Sequence, residues 1–154
     1  GGLGTMGFGM GAAMGASVAT GKKTVLITGD GSFGMNLNEL ATAVTYNIPL
    51  VIVLFNTGVL GMVRQWQSLF FDGRFSATTL GRATDFVKPA EAFGAKGVRV
   101  DSPEQFKEAF KSAYENETGP IVIECPINKD ELVLPMLPPG GSMDDLIIEK
   151  EEDL

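Results

Sequence analysis

Two short polar loops carry the residues best suited to chemistry in this sequence. Gly29-Asp30-Gly31-Ser32 follows the apolar run Thr24–Thr28, and Asn56-Thr57-Gly58 follows the apolar run Leu50–Phe55. Together they offer one carboxylate, several neutral oxygens, and glycines that let backbone N–H groups approach a ligand. That donor set suits a magnesium ion bridging protein and diphosphate, since magnesium is commonly held by one or two carboxylates plus phosphate oxygens. The 27 residues from Asp30 to Thr57 amount to one helix, one loop and one strand. If the two strands are parallel neighbours, both loops arrive at the carboxyl edge of the sheet, where open α/β sheets bind ligands. A Gly-Asp-Gly turn alone is most often only a tight strand-to-helix connection. The second loop is what makes it a candidate site.

The elements that must position these loops are readable from periodicity and punctuation. Residues 8–20 read as a small-residue helix closed by Gly21. Thr24–Thr28 and Leu50–Phe55 read as buried parallel strands. Between them a helix is expected to open near Met35, with Asn36 as its cap and Tyr46 near its end. Its N-terminal dipole would then face the Asp30 loop. Further on, Val59–Phe71 has helical character, residues 72–84 are irregular, and Asp85–Phe93 is a short helix containing Pro89. A strand is expected near Gly97–Val100. Ser102-Pro103 followed by Gln105 is a strong helix start, with Phe106, Ala109, Phe110 and Ala113 as the apolar face. Gly119-Pro120 ends that helix and Ile121–Glu124 is a further strand. The alternation predicts an α/β fold, doubly wound, with a mainly parallel sheet and helices on both faces. Residues 1–134 read as the folded domain and residues 135–154 as an irregular C-terminal tail.

Composition limits the chemistry. The chain of 154 residues is 44% hydrophobic and 20% charged, enough to bury a core, and contains no histidine. Histidine-based nucleophile activation and histidine metal sites are therefore excluded within it. Its one cysteine, Cys125, excludes an internal disulfide and a CxxC redox pair, and suits a reducing compartment such as the cytoplasm. A net charge of −7 argues against nucleic acid and against an anionic membrane surface as partners. Residues 1–21 carry no charge, but their glycines and the lack of a preceding basic region argue against a membrane span or signal. Gly2-Leu3-Gly4-Thr5-Met6-Gly7 satisfies GxGxxG, yet no strand precedes it, so it is not a dinucleotide fingerprint. Met6, Met10 and Met14 recur at four-residue spacing, which by default is a core stripe. The chain starts Gly1-Gly2 rather than with methionine, so it is expected to be a fragment or a processed product.

The stretch GDGSFGMNLNELATAVTYNIPLVIVLFNTG resembles the thiamine diphosphate motif, GDG followed at a fixed interval by an Asn pair. LGMVRQWQSLFFDGR, DFVKPAEAFGAKGVRV, GPIVIE, LPMLPPGG and the opening GGLGTMGFG together resemble the acetolactate synthase family, large catalytic subunit. The resemblance spans nearly the whole chain, and covers only that family's C-terminal, diphosphate-binding domain. It implies a thiamine diphosphate-binding fold, with thiamine diphosphate and Mg2+ as cofactors. The implied activity is decarboxylative condensation of pyruvate with a second 2-oxoacid such as 2-oxobutyrate, in branched-chain amino acid biosynthesis. The implied partners are the enzyme's remaining domains, a second copy of the subunit in a homodimer or larger oligomer, and a regulatory small subunit. FAD would enter only through a domain this sequence lacks.

Residue by residue, the resemblance makes Asp30 and Thr57 metal ligands, with Val59 lending a backbone carbonyl. Gly29, Gly31 and Ser32 match the diphosphate-cradling loop. Met6 matches the apolar residue under the bent cofactor, and Met35 a second methionine lining its pocket. Met62 and Trp66 match substrate-channel residues. No glutamate here corresponds to the family's activating glutamate, so no catalytic residue is assigned and the chain alone is expected to be inactive. The sequence departs from the family at two places. Thr57 stands where the second Asn is usual, leaving Thr57 or neighbouring Asn56 to supply the oxygen. Met10-Gly11 stands where Leu-Pro is common, which bears on how the first helix begins. Two other readings stay open: a subunit of a split thiamine diphosphate-dependent 2-oxoacid decarboxylase or oxidoreductase, and a non-catalytic magnesium/diphosphate-binding module.

Overall fold

A computed structural model describes residues 4–81 and 84–149. Gly1, Gly2 and Leu3, which open the glycine-rich stretch, and the last five residues of the acidic tail lie outside the described residues. The chain divides into two compact units, Gly1–Gly58 with Gly81–Ile127, and Val59–Leu80 with Asn128–Leu154.

The first unit is built on four parallel strands: β1 (Thr24–Gly29), β2 (Leu50–Asn56), β3 (Lys96–Arg99) and β4 (Ile121–Pro126), in the order β1-β2-β4-β3. Leu50–Leu54 and Ile121–Cys125 are buried along their length, as strands covered on both faces must be. Side chains alternate between the two faces. Leu26, Leu50, Ile52, Leu54 and Val122 form one core with α1 (Phe8–Thr20), α2 (Asp30–Phe33), α3 (Leu40–Thr45) and α5 (Val87–Ala92). Val51, Val53, Ile121, Ile123 and Cys125 form the other with α6 (Pro103–Asn116). Helices on both faces of a parallel sheet are the doubly wound arrangement the alternation predicts.

Local chemistry accounts for the element ends. Gly21, at φ 64°, closes α1 by returning its N–H to the Ser17 carbonyl at 2.9 Å. Met10-Gly11 does not delay that helix, which begins at Phe8 after Gly7 in a left-handed conformation. Ser102 caps α6 by accepting from the Gln105 N–H at 3.2 Å, with Pro103 at the first helical position. Pro89 sits within the first turn of α5, where its missing N–H has no helical partner to lose.

One expectation fails. The helix predicted to open near Met35 under an Asn36 cap is instead broken into three pieces. The chain turns into α2 at Asp30 itself, passes a 3-10 turn at Leu37–Glu39, and only then forms α3. Asn36 makes no cap; its amide Nδ2 donates to the Gly7 carbonyl across 29 residues of sequence. The Nδ2 bond turns the side chain toward the glycine-rich loop, and its Oδ1 caps no helix.

Gly97 marks a close helix-to-sheet approach against helix backbone that a substitution can probe. A Cβ there would lie 3.0 Å from both the Cγ1 and the carbonyl oxygen of Val87 in α5. Gly97→Ala is expected to lower stability by about 1–3 kcal/mol through overpacking. Gly11→Ala, whose Cβ meets nothing within 4 Å, is expected to raise it by about 0.5–1 kcal/mol through helix propensity. Urea denaturation of the two variants separates these signs, and equal effects would contradict the close α5–β3 packing.

Candidate functional site

β1 and β2 pair in register from Thr24↔Leu50 to Gly29↔Phe55, so they end level with one another. The first residue past β1 is Asp30 and the first past β2 is Thr57. Asp30 is 3% exposed. Its Oδ2 accepts the Gly58 backbone N–H at 3.1 Å, and its Oδ1 accepts the Thr57 hydroxyl at 3.4 Å. Gly58 delivers that N–H from φ 68°, a left-handed conformation that side chains disfavour. The two loops singled out by spacing therefore meet at the carboxyl edge of the sheet. A buried carboxylate held by neutral donors is the kind of group that can exchange one of them for a cation. Among the described residues no three His, Cys, Asp or Glu side chains cluster. A cation at Asp30 would complete its shell from neutral oxygens and from a phosphate-bearing ligand, which is how magnesium is ordinarily bound.

The glycine-rich loop before α1 is tied to the same edge. Ser32 Oγ accepts the Gly7 N–H at 3.0 Å, and the Asn36 amide donates to the Gly7 carbonyl. A Cβ on Gly7 would meet Met35 Cβ at 3.5 Å, so Met35 lies beside this loop. Met6 is 46% exposed and Met35 62%, whereas Met10 and Met14 are buried. The methionine stripe thus splits: its two later members are core, and Met6 stays outside the core. Asn36 Oδ1 is buried without a hydrogen-bond partner, an unfilled acceptor next to these loops.

Asn56, Glu124 and Cys125 complete the end of β2 and β4. The Asn56 amide donates to Glu124 Oε1 at 2.6 Å. Sequence reasoning names Gly58 as a loop glycine without fixing its partner, and does not single out Glu124, although an acid inside the apolar run Ile121–Cys125 is a visible anomaly. Cys125 is 9% exposed. Burial, and then the negative charge of Glu124, push its thiol above the ordinary range.

The second unit, described by itself, contains α4 (Gly61–Phe70), which begins two residues later than its sequence pattern suggests. Val59 is buried and bridges Thr79 in antiparallel fashion. Gln65, also buried, donates to the Val133 carbonyl at 3.0 Å and accepts the Val133 N–H at 2.8 Å. Arg64 pairs with Asp130 at 2.6 Å and covers the Phe75 ring at 3.8 Å. These bonds fasten the segment after residue 128 to α4, and Met136 bridges Ile147 beyond it. The exposed face of α4 opens a cavity of about 530 Å³ lined by Met62, Val63, Trp66, Gln67, Phe71 and Arg74. Trp66 stacks edge-on against Phe70 at 5.7 Å. Met62 and Trp66 therefore share one apolar cavity with a single cation.

Comparison with known proteins is consistent across sequence and structure. Residues 1–125 match the family model for the thiamine pyrophosphate enzyme, C-terminal TPP binding domain. The chain is 40% identical over 154 residues to the acetolactate synthase large subunit of Haemophilus influenzae, covering 99% of this chain and 27% of that protein. It is 49% identical over 149 residues to the probable acetolactate synthase large subunit of Methanocaldococcus jannaschii, covering 96% and 25%. The chain thus spans about a quarter of the length of the curated relatives it matches. Among solved structures it is similar to a thiamine diphosphate-dependent 4-hydroxybenzoylformate decarboxylase from Rhodococcus jostii RHA1. The TM-score there is 0.73 at 35% identity, over 80% of this chain and 23% of that one. Among the described residues, no helix is long and apolar enough to cross a membrane.

The raised thiol of Cys125 yields a direct check. A group held above its ordinary pKa has little thiolate at neutral pH, and the thiolate is the nucleophile. Alkylation of Cys125 by iodoacetamide at about pH 8 is expected to be slower by about tenfold or more in native protein than in denaturant. Equal rates would mean that the β4–α6 core opens at Cys125.

Proposed function

The chain belongs to the thiamine pyrophosphate enzyme family through its C-terminal, cofactor-binding domain, and from that premise we propose that it is the diphosphate-binding part of an acetolactate synthase. The observation that carries this reading is the buried Asp30 carboxylate, met by Thr57 and Gly58 where two parallel strands end. The identities to acetolactate synthase large subunits support the choice among thiamine diphosphate enzymes.

In this reading Asp30 and Thr57 would hold a Mg2+ ion, which would supply positive charge for the diphosphate of thiamine diphosphate. Gly29, Gly31 and Ser32 offer backbone and hydroxyl donors to the phosphate oxygens, without side chains to exclude them. Asn56 orders the end of β2. Met6 and Met35 keep apolar, polarisable surface exposed beside the glycine-rich loop, suited to an aromatic cofactor ring. When bound, the cofactor supplies the electron sink for decarboxylation of pyruvate and its condensation with a second 2-oxoacid. The chain's own residues bind and orient; none is assigned a proton transfer. In the second unit, the cavity over Met62 and Trp66 receives the second 2-oxoacid, its apolar walls accommodating the alkyl end. Further domains of the enzyme, a homodimeric or larger assembly, a regulatory small subunit, FAD on another domain and a cytoplasmic location belong to the same reading.

A second reading, a subunit of a 2-oxoacid decarboxylase, is favoured by the likeness to the 4-hydroxybenzoylformate decarboxylase. The two separate by product: acetolactate from pyruvate in one case, an aldehyde without condensation in the other.

Calorimetric titration of the intact protein with thiamine diphosphate and Mg2+ tests the site. Asp30→Asn is expected to weaken Mg2+-dependent cofactor binding by at least about a hundredfold, beyond the effect of outer-shell substitutions. Thr57→Asn, which restores a longer amide oxygen, is expected to change the Mg2+ requirement. An unchanged requirement in Thr57→Asn would show that this side chain is not a ligand.

A further inference from the structure

Glu124 is the most anomalous residue in the sheet. It sits in β4 between Ile123 and Cys125, is fully buried, and pairs in register with Leu54 of β2. Its Oε1 accepts from the Asn56 amide at 2.6 Å, while its Oε2 is buried with no hydrogen-bond partner. A carboxylate so placed is less stable there than the apolar residue its neighbours suggest, because desolvating it is compensated by one good hydrogen bond. The same position filled by leucine or isoleucine would complete the apolar face of β4. What the acid contributes instead must lie in what it holds.

It holds Asn56. A carboxylate only accepts, so the amide must present Nδ2 to Glu124, and its oxygen is turned away. The Asn56 carbonyl is fixed as well, accepting from the Ile127 N–H at 3.0 Å just past β4. Asn56 is thus clamped to β4 by side chain and backbone together. The next two residues, Thr57 and Gly58, are those that reach Asp30. We infer that Glu124 is a positioning residue for the Asp30 site: through Asn56 it sets the direction in which the Thr57-Gly58 loop leaves the sheet. This rests on the magnesium–diphosphate reading of that site. Glu124 touches neither metal nor cofactor and acts on them only through Asn56.

The experiment uses the intact protein, with Mg2+ and thiamine diphosphate as the probes. Two quantities are read: the Mg2+ concentration that half-saturates cofactor binding, and hydrogen exchange of the peptide containing Gly58 without cofactor. Glu124→Leu is expected to raise the half-saturating Mg2+ by about tenfold, in the range of other outer-shell substitutions. It is also expected to speed exchange at Gly58, with thermal stability unchanged or increased. Glu124→Gln keeps an acceptor for Asn56 and is expected to stay within about threefold of wild type, well short of that outer-shell effect. If Glu124 acts through Asn56, adding Glu124→Leu to Asn56→Ala weakens binding no further. Asn56→Ala, which leaves Glu124 in place, keeps the test open should the leucine variant fail to fold: it must by itself reproduce the loss of Mg2+ affinity. Folded variants with wild-type Mg2+ dependence, or additive losses in the double variant, would overturn the role of Glu124 and leave the site reading intact. A wild-type protein that binds no cofactor with Mg2+ would overturn the site reading and this inference with it.

Discussion

The parallel pairing of β1 with β2 is the constraint on which the first unit depends. Strands in that pairing have a side-chain period of two, so a slip of one residue moves every side chain to the opposite face. Such a slip would take Leu50, Ile52 and Leu54 out of the core they share with Leu26, α1 and α3, and would scatter Val51 and Val53 as well. Burial on both faces therefore fixes the register far more firmly than the hydrogen bonds alone. The register in turn decides which residues stand level at the strand ends. Packing thus comes first in the causal order: the apolar strands bring Asp30 level with Asn56, within side-chain reach of Thr57 and Gly58, and the polar residues only refine that placement.

The refinement has its own energetics. Burying a carboxylate without partners is strongly unfavourable, and each neutral donor recovers part of the lost hydration. Asp30 receives its donors from the β2 loop, which makes the loop's conformation and the carboxylate's burial mutually dependent. The glycine-rich loop is held by the same logic from the other side, with Gly7 giving its N–H to Ser32 and taking the Asn36 amide. Three segments far apart in sequence are tied at one sheet edge by polar bonds that no core residue makes. That distribution leaves the edge less robust than the core and more open to rearrangement by a ligand.

Legibility followed the range of the interactions. The strands are readable because Leu50–Phe55 and Ile121–Ile123 are continuous apolar runs, and α6 because Ser102 and Pro103 act within one turn. The convergence of Asp30 and Thr57 was readable as soon as their strands could be taken as neighbours. The helix expected after Met35 is not legible because the orientation of the Asn36 side chain is set by the Gly7 carbonyl, 29 residues away, and not by the local helix end. Gly58 is visible as a loop glycine, but that its N–H turns to Asp30 is decided by the fold. Glu124 was a different kind of omission: the acid was in plain view within an apolar strand, but its partner, 68 residues away, was not.

That partner bears on the departure from the thiamine diphosphate motif at position 57. On sequence alone, either Thr57 or Asn56 could supply a neutral oxygen beside Asp30. The Asn56 side chain points to the β4 side, where its Nδ2 is engaged by Glu124 at 2.6 Å, and rotating it away would leave a fully buried carboxylate without its hydrogen bond. The Thr57 hydroxyl already stands 3.4 Å from the Asp30 carboxylate. A hydroxyl is shorter than the amide it replaces, so Thr57 can serve only if the loop backbone is brought close to Asp30, which the Gly58 N–H bond at 3.1 Å does. On the proposed magnesium reading, the Asn56–Glu124 bond makes Thr57 the better placed of the two to supply that oxygen.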